Sequence, residues 1–331
     1  MKRLMLKAIA AAVTLAAFGV AHAQERTIKF ATQNPKGHPI VMGMEKFAEI
    51  VAAKSGGKIK VNLFPGGTLG GDQQNVSALQ GGTIEMVVLN AGILASQVKD
   101  FEVFDFPFMF ANPQEADAVA DGPAGRALLD KLDAKNIRGL AYWELGFRQI
   151  TNSKRAITKV DDIAGLKLRV IPNAINVDWV QALGANPTPM AFPEVYPALE
   201  QKAIDGQENP LTVINANKFY EVQKFVTLTN HQYNPQAVIM SKKLWDSLSA
   251  DEKKLLGDAA QEAAVFQRKA SRDMMGAALD NMKKNGMTVS EFSPAEQAKL
   301  REKLKPVIDK HGAAIADTVK QVQAELAKVR K

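Results

Sequence analysis

The sequence predicts an α/β chain of two lobes, joined by a long strand and a long helix that cross between them. Three observations carry that expectation. Strand and helix patterns alternate at the start of the chain in the order β-α-β-α-β, which argues for a mostly parallel sheet covered by helices. A second alternating series begins near Phe147. Further on, a strand-like stretch from Phe225 to Met240 precedes a helical pattern from Ser249 to Asn285, which is too long for one small lobe.

The first 23 residues read as a secretory leader. Lys2 and Arg3 precede an apolar run from Ala8 to Val20, and Ala21-His22-Ala23 supplies the small-x-small pattern for cleavage after Ala23. The run is shorter than the roughly 20 residues of a membrane span. The expectation is an exported protein that begins at Gln24. The chain has no cysteine, so the fold must stand without disulfides, and thiol catalysis and cysteine-based zinc sites are excluded. The formal charge of +7 falls to +4 once Lys2, Arg3 and Lys7 leave with the leader. No run of five or six like charges occurs, which argues against nucleic-acid binding.

Thr27–Thr32 alternates polar and apolar and reads as a strand. Val41, Met44, Phe47, Ala48 and Val51 recur at helical spacing within 39–53, and Gly56-Gly57 closes that helix. A strand over Lys58–Leu63, a helix over Asp72–Gln80 and a strand over Ile84–Asn90 follow. The phenylalanine-rich stretch Phe101–Phe110 reads as a loop anchored in the core rather than an aromatic ligand box. A helix over Pro113–Leu132 and a strand over Ile137–Trp143 complete the first lobe. The second series holds a strand over Leu166–Ile171 and helices over Asn173–Leu183, Pro193–Ala203 and Leu211–Tyr220. Ser249 and Glu252 form a capping box for the long helix, with Leu255, Leu256, Ala259, Ala263, Phe266, Met274, Met275, Leu279 and Met282 on its expected buried side. A second capping box, Ser293-Pro294-Ala295-Glu296, opens the C-terminal helices. Residues 24–145 plus 236–275 are expected to form one lobe, and 146–235 plus 276–331 the other.

Nucleotide-binding glycine loops, H-E-x-x-H and G-x-S-x-G are all missing from the sequence. His38, His231 and His311 lie far apart, with no second ligand at metal spacing. Two arginines stand out instead. Arg148 sits in Gly146-Phe147-Arg148-Gln149, and Arg169 on the apolar strand Lys167-Leu168-Arg169-Val170. Such an arginine keeps its charge, so it needs either a structural salt bridge, a solvent-facing edge, or a ligand carboxylate for its planar fork. The segment Asp205-Gly206-Gln207-Glu208-Asn209-Pro210 is polar and ends in proline, as a strand end or turn lining a crevice would.

Gly165–Val170, Pro187–Tyr196 and Asp205–Pro210, with Gly43–Val51, Phe219–Lys224 and Asn230-His231, resemble the solute-binding subunits of TRAP (tripartite ATP-independent periplasmic) transporters. The resemblance covers essentially the whole exported chain. It implies a periplasmic-binding-protein fold with the ligand cleft between the lobes, no cofactor, no catalysis, and delivery of a small organic acid to the membrane permease subunits from the periplasm; the chain is expected to be a monomer. By this resemblance, Arg169 makes a bidentate pair with the ligand carboxylate, Arg148 is a second arginine found in many members, and Asn209 is a polar contact near that carboxylate. Phe192 packs against the ligand. Gln33, Asp72 and Asn90 contact it from the first lobe, with His38 and Asn173 nearby.

The sialate-binding members carry an acid where this chain has Asn90 and an arginine where it has Ile93. C4-dicarboxylate members often lack an arginine at the Arg148 position. A sugar acid, either a uronate such as glucuronate or galacturonate or an aldonate, is therefore the expected ligand, with C4-dicarboxylate or sialate as alternatives. Two other classes stay open: an exported α/β enzyme, for example a lyase using His38 or Tyr196, and a sensor subunit that presents its ligand to a receptor.

Overall fold

A computed structural model describes residues 25–330. The leader read in residues 1–23 lies outside the described residues. Strand β1 (Arg26–Ala31), helix α1 (Pro39–Lys54), β2 (Ile59–Phe64), α2 (Asp72–Gly81) and β3 (Met86–Asn90) follow the order expected from the sequence. β1 pairs in parallel with both β2 and β3, as a β-α-β-α-β series requires. In α1 the apolar spacing buries Ile40, Met44, Phe47 and Val51, and the chain leaves the helix through left-handed Gly56 and Gly57.

Two short 3-10 turns follow, Ala91–Ser96 and Lys99–Asp105; the second opens the phenylalanine-rich stretch, whose Phe101, Phe104, Phe106 and Phe110 are buried in the core. The single helix expected over 113–132 is two, α3 (Pro113–Asp121) and α4 (Pro123–Lys131). Pro123 has no N–H to continue the ladder and drives Gly122 into extended backbone at ψ 178.

Strand β4 (Ile137–Asn152) is 16 residues long and is the strand that crosses the molecule. This corrects the expectation that Phe225–Met240 would do so. That stretch is two strands, β8 (Phe225–Leu228) and β9 (Tyr233–Ser241), with Asn230 between them at φ 44. Between β4 and β8 lie β5 (Lys167–Val170), α5 (Ala174–Ala182), β6 (Asn186–Pro189), α6 (Val195–Glu200), β7 (Gly206–Pro210) and α7 (Leu211–Ala216). The first part of β4 pairs antiparallel with β9, from Ile137↔Ser241 to Phe147↔Tyr233. Its last five residues pair with β7, from Arg148↔Pro210 to Asn152↔Gly206, and partly with β8. A bulge between Glu144 and Gly146, with Gly146 at φ 110, marks the change of partner. The main strand order is β2-β1-β3-β9-β4-β7-β5-β6.

After the short α8 (Lys242–Ser247), helix α9 runs over Ala250–Lys284, or about 50 Å at roughly 1.5 Å per residue. Ser249 and Glu252 close its capping box reciprocally at 3.1 and 2.8 Å. Leu256, Ala259, Ala260, Ala263 and Ala264 pack into the core around Phe30, Phe47 and Trp143. Met282, at its far end, joins a separate core with Val195, Leu199 and Phe219. The helix therefore stitches two cores together. Its buried stripe is mostly alanine, which lets α1 approach closely, and Phe266 and Met275 face outward at 40% and 36% exposure rather than inward as expected.

The chain closes with β10 (Thr288–Glu291), which pairs with β8, then α10 (Pro294–Ala313) and α11 (Ala316–Val329). The expected division places 276–331 in the second lobe. Helix α11 packs on α3 and α4, with Val322 and Leu326 in the core beside Leu128. Its Glu325 accepts a hydrogen bond from the Ala124 N–H at 2.7 Å, which serves the free N-terminus of α4.

Candidate ligand-binding site

The carboxyl ends of parallel strands β1 and β3 face those of β5 and β6, and between them lies a cavity of about 590 Å³. Such strand ends are where open α/β sheets gather their ligands, and the volume lies within the roughly 300–1,000 Å³ of small-molecule sites. Of the residues singled out in the sequence, Gln33, Asp72, Asn90, Arg148, Arg169, Phe192 and Asn209 line this cavity.

Arg169 is the third residue of β5 and is 3% exposed. Its Nε and Nη2 both donate to the Met190 carbonyl, at 3.1 and 3.0 Å. Among the described residues no carboxylate forms a salt bridge with it. Its guanidinium carbon lies 5.7 Å from the Phe192 ring centre, in cation–π range. Burial pulls its pKa down to about 10, so it stays charged at neutral pH. The result is a rigidly held cation whose fork is only partly used.

Arg148 is placed differently. Its Nε donates to Glu208 Oε2, its Nη2 to Glu208 Oε1 at 2.8 Å, and its Nη1 to Asn234 Oδ1 at 2.9 Å. The structural salt bridge, one of the readings open for these arginines, describes it, although one edge reaches the cavity wall. Burial works to raise the Glu208 carboxyl, but Arg148 and His231 outweigh it and hold it at about 2. Asn234 Nδ2 passes the network on to Asp105 Oδ1 at 2.7 Å.

Among the described residues, four buried polar atoms on the cavity lining have no protein partner: Gln33 Oε1, Asp72 Oδ1, Asn90 Nδ2 and Gln236 Oε1. Asp72 opens α2. The residue is half-buried overall, but the closure of its carboxyl from solvent raises it to about 7, against the pull of Arg169 and of Gln33. Gln33 is oriented by its Nε2, which donates to the Gly70 carbonyl at 2.7 Å. Asn209 donates from Nδ2 to Gln207 Oε1 at 2.5 Å. Sequence reasoning missed Gln236. The signal was there, since Asn234 and Gln236 are polar residues with period two in a strand that continues as Ala-Val-Ile-Met.

His38 and Asn173 lie off the cavity wall. His38 Nδ1 accepts from the Ile40 N–H at 3.1 Å and caps α1, and burial lowers its pKa to about 3, so it is neutral. Asn173 Oδ1 accepts from the Asn176 N–H at 3.0 Å and caps α5, while its Nδ2 donates to Asp105. Each stands just before a helix, His38 with Pro39 at the first helical position, which is a capping signature rather than a ligand signature. Tyr196 also lies off the wall, its hydroxyl donating to Glu221 Oε2 at 2.7 Å. The residues named for the lyase alternative are therefore not assembled around the cavity.

Solved TRAP solute-binding proteins share this fold. A structure from Ochrobactrum anthropi, a TRAP periplasmic solute-binding protein with its C-terminus bound in the ligand-binding pocket, is 54% identical, covers 93% of this chain and 97% of its own, and superposes with a TM-score of 0.83. The sugar-acid-binding protein DctPAm of Advenella mimigardefordensis strain DPN7T, solved with galactonate, is 45% identical over 92% of this chain and 99% of its own, with a TM-score of 0.90. The C4-dicarboxylate-binding periplasmic protein DctP of Rhodobacter capsulatus is 37% identical over 325 residues, or 96% of each chain. The family described as bacterial extracellular solute-binding protein, family 7 (DctP), matches residues 30–314, and the chain belongs to this family of TRAP transporter solute-binding proteins.

Proposed function

We propose that the chain captures a sugar acid bearing one carboxylate, an aldonate or a uronate, and hands it to the membrane permease subunits of a TRAP transporter. One observation carries this reading. Among the described residues, the cavity holds one buried cation with a partly free fork, Arg169, and around it unpartnered amide and carboxyl atoms instead of further free cations. A carboxylate leaving water needs strong replacement partners, and a planar guanidinium supplies two parallel hydrogen bonds. The remaining polar atoms suit hydroxyl groups. A second ligand carboxylate would find the nearby arginine already bound to Glu208. The galactonate complex of the 45%-identical relative supports the same class, and the C4-dicarboxylate relative marks the competing one.

In this reading the ligand bridges the wall formed by Gln33, Asp72 and Asn90 and the wall formed by Arg169, Phe192 and Asn209. A ligand shifts a conformational equilibrium only by its differential affinity for the two states, so contacts on both walls favour closure. The first lobe comprises 24–145 and 236–275 with the last helix added, and the second comprises 146–235 and 276–315. The chain acts in the periplasm as a monomer after cleavage at Ala23.

Calorimetry and thermal shift on the exported chain test this, with D-galactonate, D-galacturonate and succinate as ligands. A sugar acid is expected to raise the melting temperature and to be recovered chemically unchanged. Tighter binding of succinate than of every sugar acid would overturn the reading.

A further inference from the structure

Part of the cleft's polar surface is left unused by the carboxylate clamp. Asn90 ends β3, and Gln236 stands directly opposite it in the antiparallel register with β9. Both line the cavity, and they are 6% and 3% exposed. The orientation of Asn90 is fixed, because its Oδ1 accepts from the Gly92 N–H at 2.8 Å. The group this leaves over is a donor, Nδ2, buried on a cavity-lining residue and without an acceptor. Opposite it, Gln236 Oε1 is a buried acceptor with no donor. Buried polar atoms are overwhelmingly hydrogen-bonded, so a donor and an acceptor left unpaired on one rung of a sheet point to a missing partner that supplies both.

We propose that Asn90 and Gln236 together read hydroxyl groups on the carbon chain of the bound acid, and that Gln236 sets the preference for a polyhydroxylated ligand. This rests on the sugar-acid reading of the same cleft. A hydroxyl both donates and accepts, so one hydroxyl, or two neighbouring ones, satisfies Asn90 Nδ2 and Gln236 Oε1 at once. A methylene at that place leaves both atoms unpaired. A carboxylate accepts from Asn90 Nδ2 but has no hydrogen to give Gln236 Oε1. Both side chains stand on central strands, β9 being held between β3 and β4, which keeps the pair rigid.

The test compares the wild type with Gln236→Met, which keeps the length and removes the amide, acceptor and donors alike, using D-galactonate, its monodeoxy analogues and succinate in calorimetry. The wild type is expected to bind at least one monodeoxy analogue at least about tenfold more weakly than D-galactonate. In Gln236→Met, D-galactonate is expected to lose at least about tenfold, the penalty for that deoxy position to disappear, and succinate to change by no more than about twofold. Equal losses for all ligands would mark a structural role and overturn the proposal. So would a wild type indifferent to every deoxy position, an arm that needs no variant to fold. A wild type that binds succinate but neither D-galactonate, D-galacturonate nor D-erythronate would overturn the sugar-acid reading itself, and this inference with it. A wild type that binds D-galactonate, with Gln236→Met unchanged, would overturn this inference alone.

Discussion

Arg148 and Glu208 are bound to each other inside the fold, at 1% and 0% side-chain exposure, across the paired ends of β4 and β7. Their pairing separates the two cleft arginines into a structural cation and one whose fork is only partly used. Breaking such a buried pair from one side leaves an uncompensated charge, which costs about 3–5 kcal/mol. Arg148→Met is therefore expected to lower the stability measured by urea unfolding by about that amount. Because Glu208 is held below its ordinary value of 4.5, at about 2, its contribution is present above pH 4.5 and lost as the pH falls toward 2. Wild-type stability for Arg148→Met would refute the structural role.

Arg169→Lys keeps the charge and removes the fork. Affinity for the acid is expected to fall by at least about tenfold, or about 1.4 kcal/mol, with little change in the melting temperature of the unliganded protein. Calorimetry with the best-binding sugar acid reads the effect. Undiminished affinity would remove Arg169 from the clamp.

Asp72 links binding to protons. Its folded value of about 7 lies above the ordinary 3.8, so the folded protein binds the extra proton between those limits. Its contribution to stability accordingly falls as the pH rises from about 4 to 7, and Asp72→Asn is expected to flatten that slope in urea titrations. A ligand carboxylate seated on Arg169 offsets the cation that holds Asp72 down, so binding near pH 7 is expected to take up a proton. Calorimetry in buffers of different ionisation enthalpy measures that uptake, and a buffer-independent enthalpy would contradict it.

Gly43 of α1 packs tightly against α9 and β4. A Cβ there would lie 2.7 Å from Gln267 Cγ and 2.9 Å from Trp143 Cζ3. Gln267 cannot move aside cheaply, because it accepts from the Glu144 N–H and donates to the Glu144 carbonyl, both at 2.7 Å. Gly43→Ala is expected to cost about 1–3 kcal/mol by overpacking, read from the urea midpoint. An unchanged or higher midpoint would show that the interface has room.

Local pattern made much of the fold legible. The helical spacing of α1, the capping box at Ser249 and the alternation in β1 and β2 each appear in the sequence because short-range sterics and hydrogen bonds decide them. The crossing strand was misplaced for the opposite reason. The continuity of β4 depends on changing partners from β9 to β7 at a bulge, and such pairing is made between residues far apart in the chain. His38 and Asn173 show the same limit in the site, since a polar residue before a helix serves its backbone first.

By itself the sequence determined the family of the chain, its α/β class and Arg169 as a cation that had to be answered. Each of these rests on residues close together in the chain. Only the tertiary structure decided that Arg148 is answered internally by Glu208, and that Gln236 stands beside Asn90 with nothing to bond. A hydrogen-bond partner is a matter of distance and direction in space, and 60 residues separate Arg148 from Glu208.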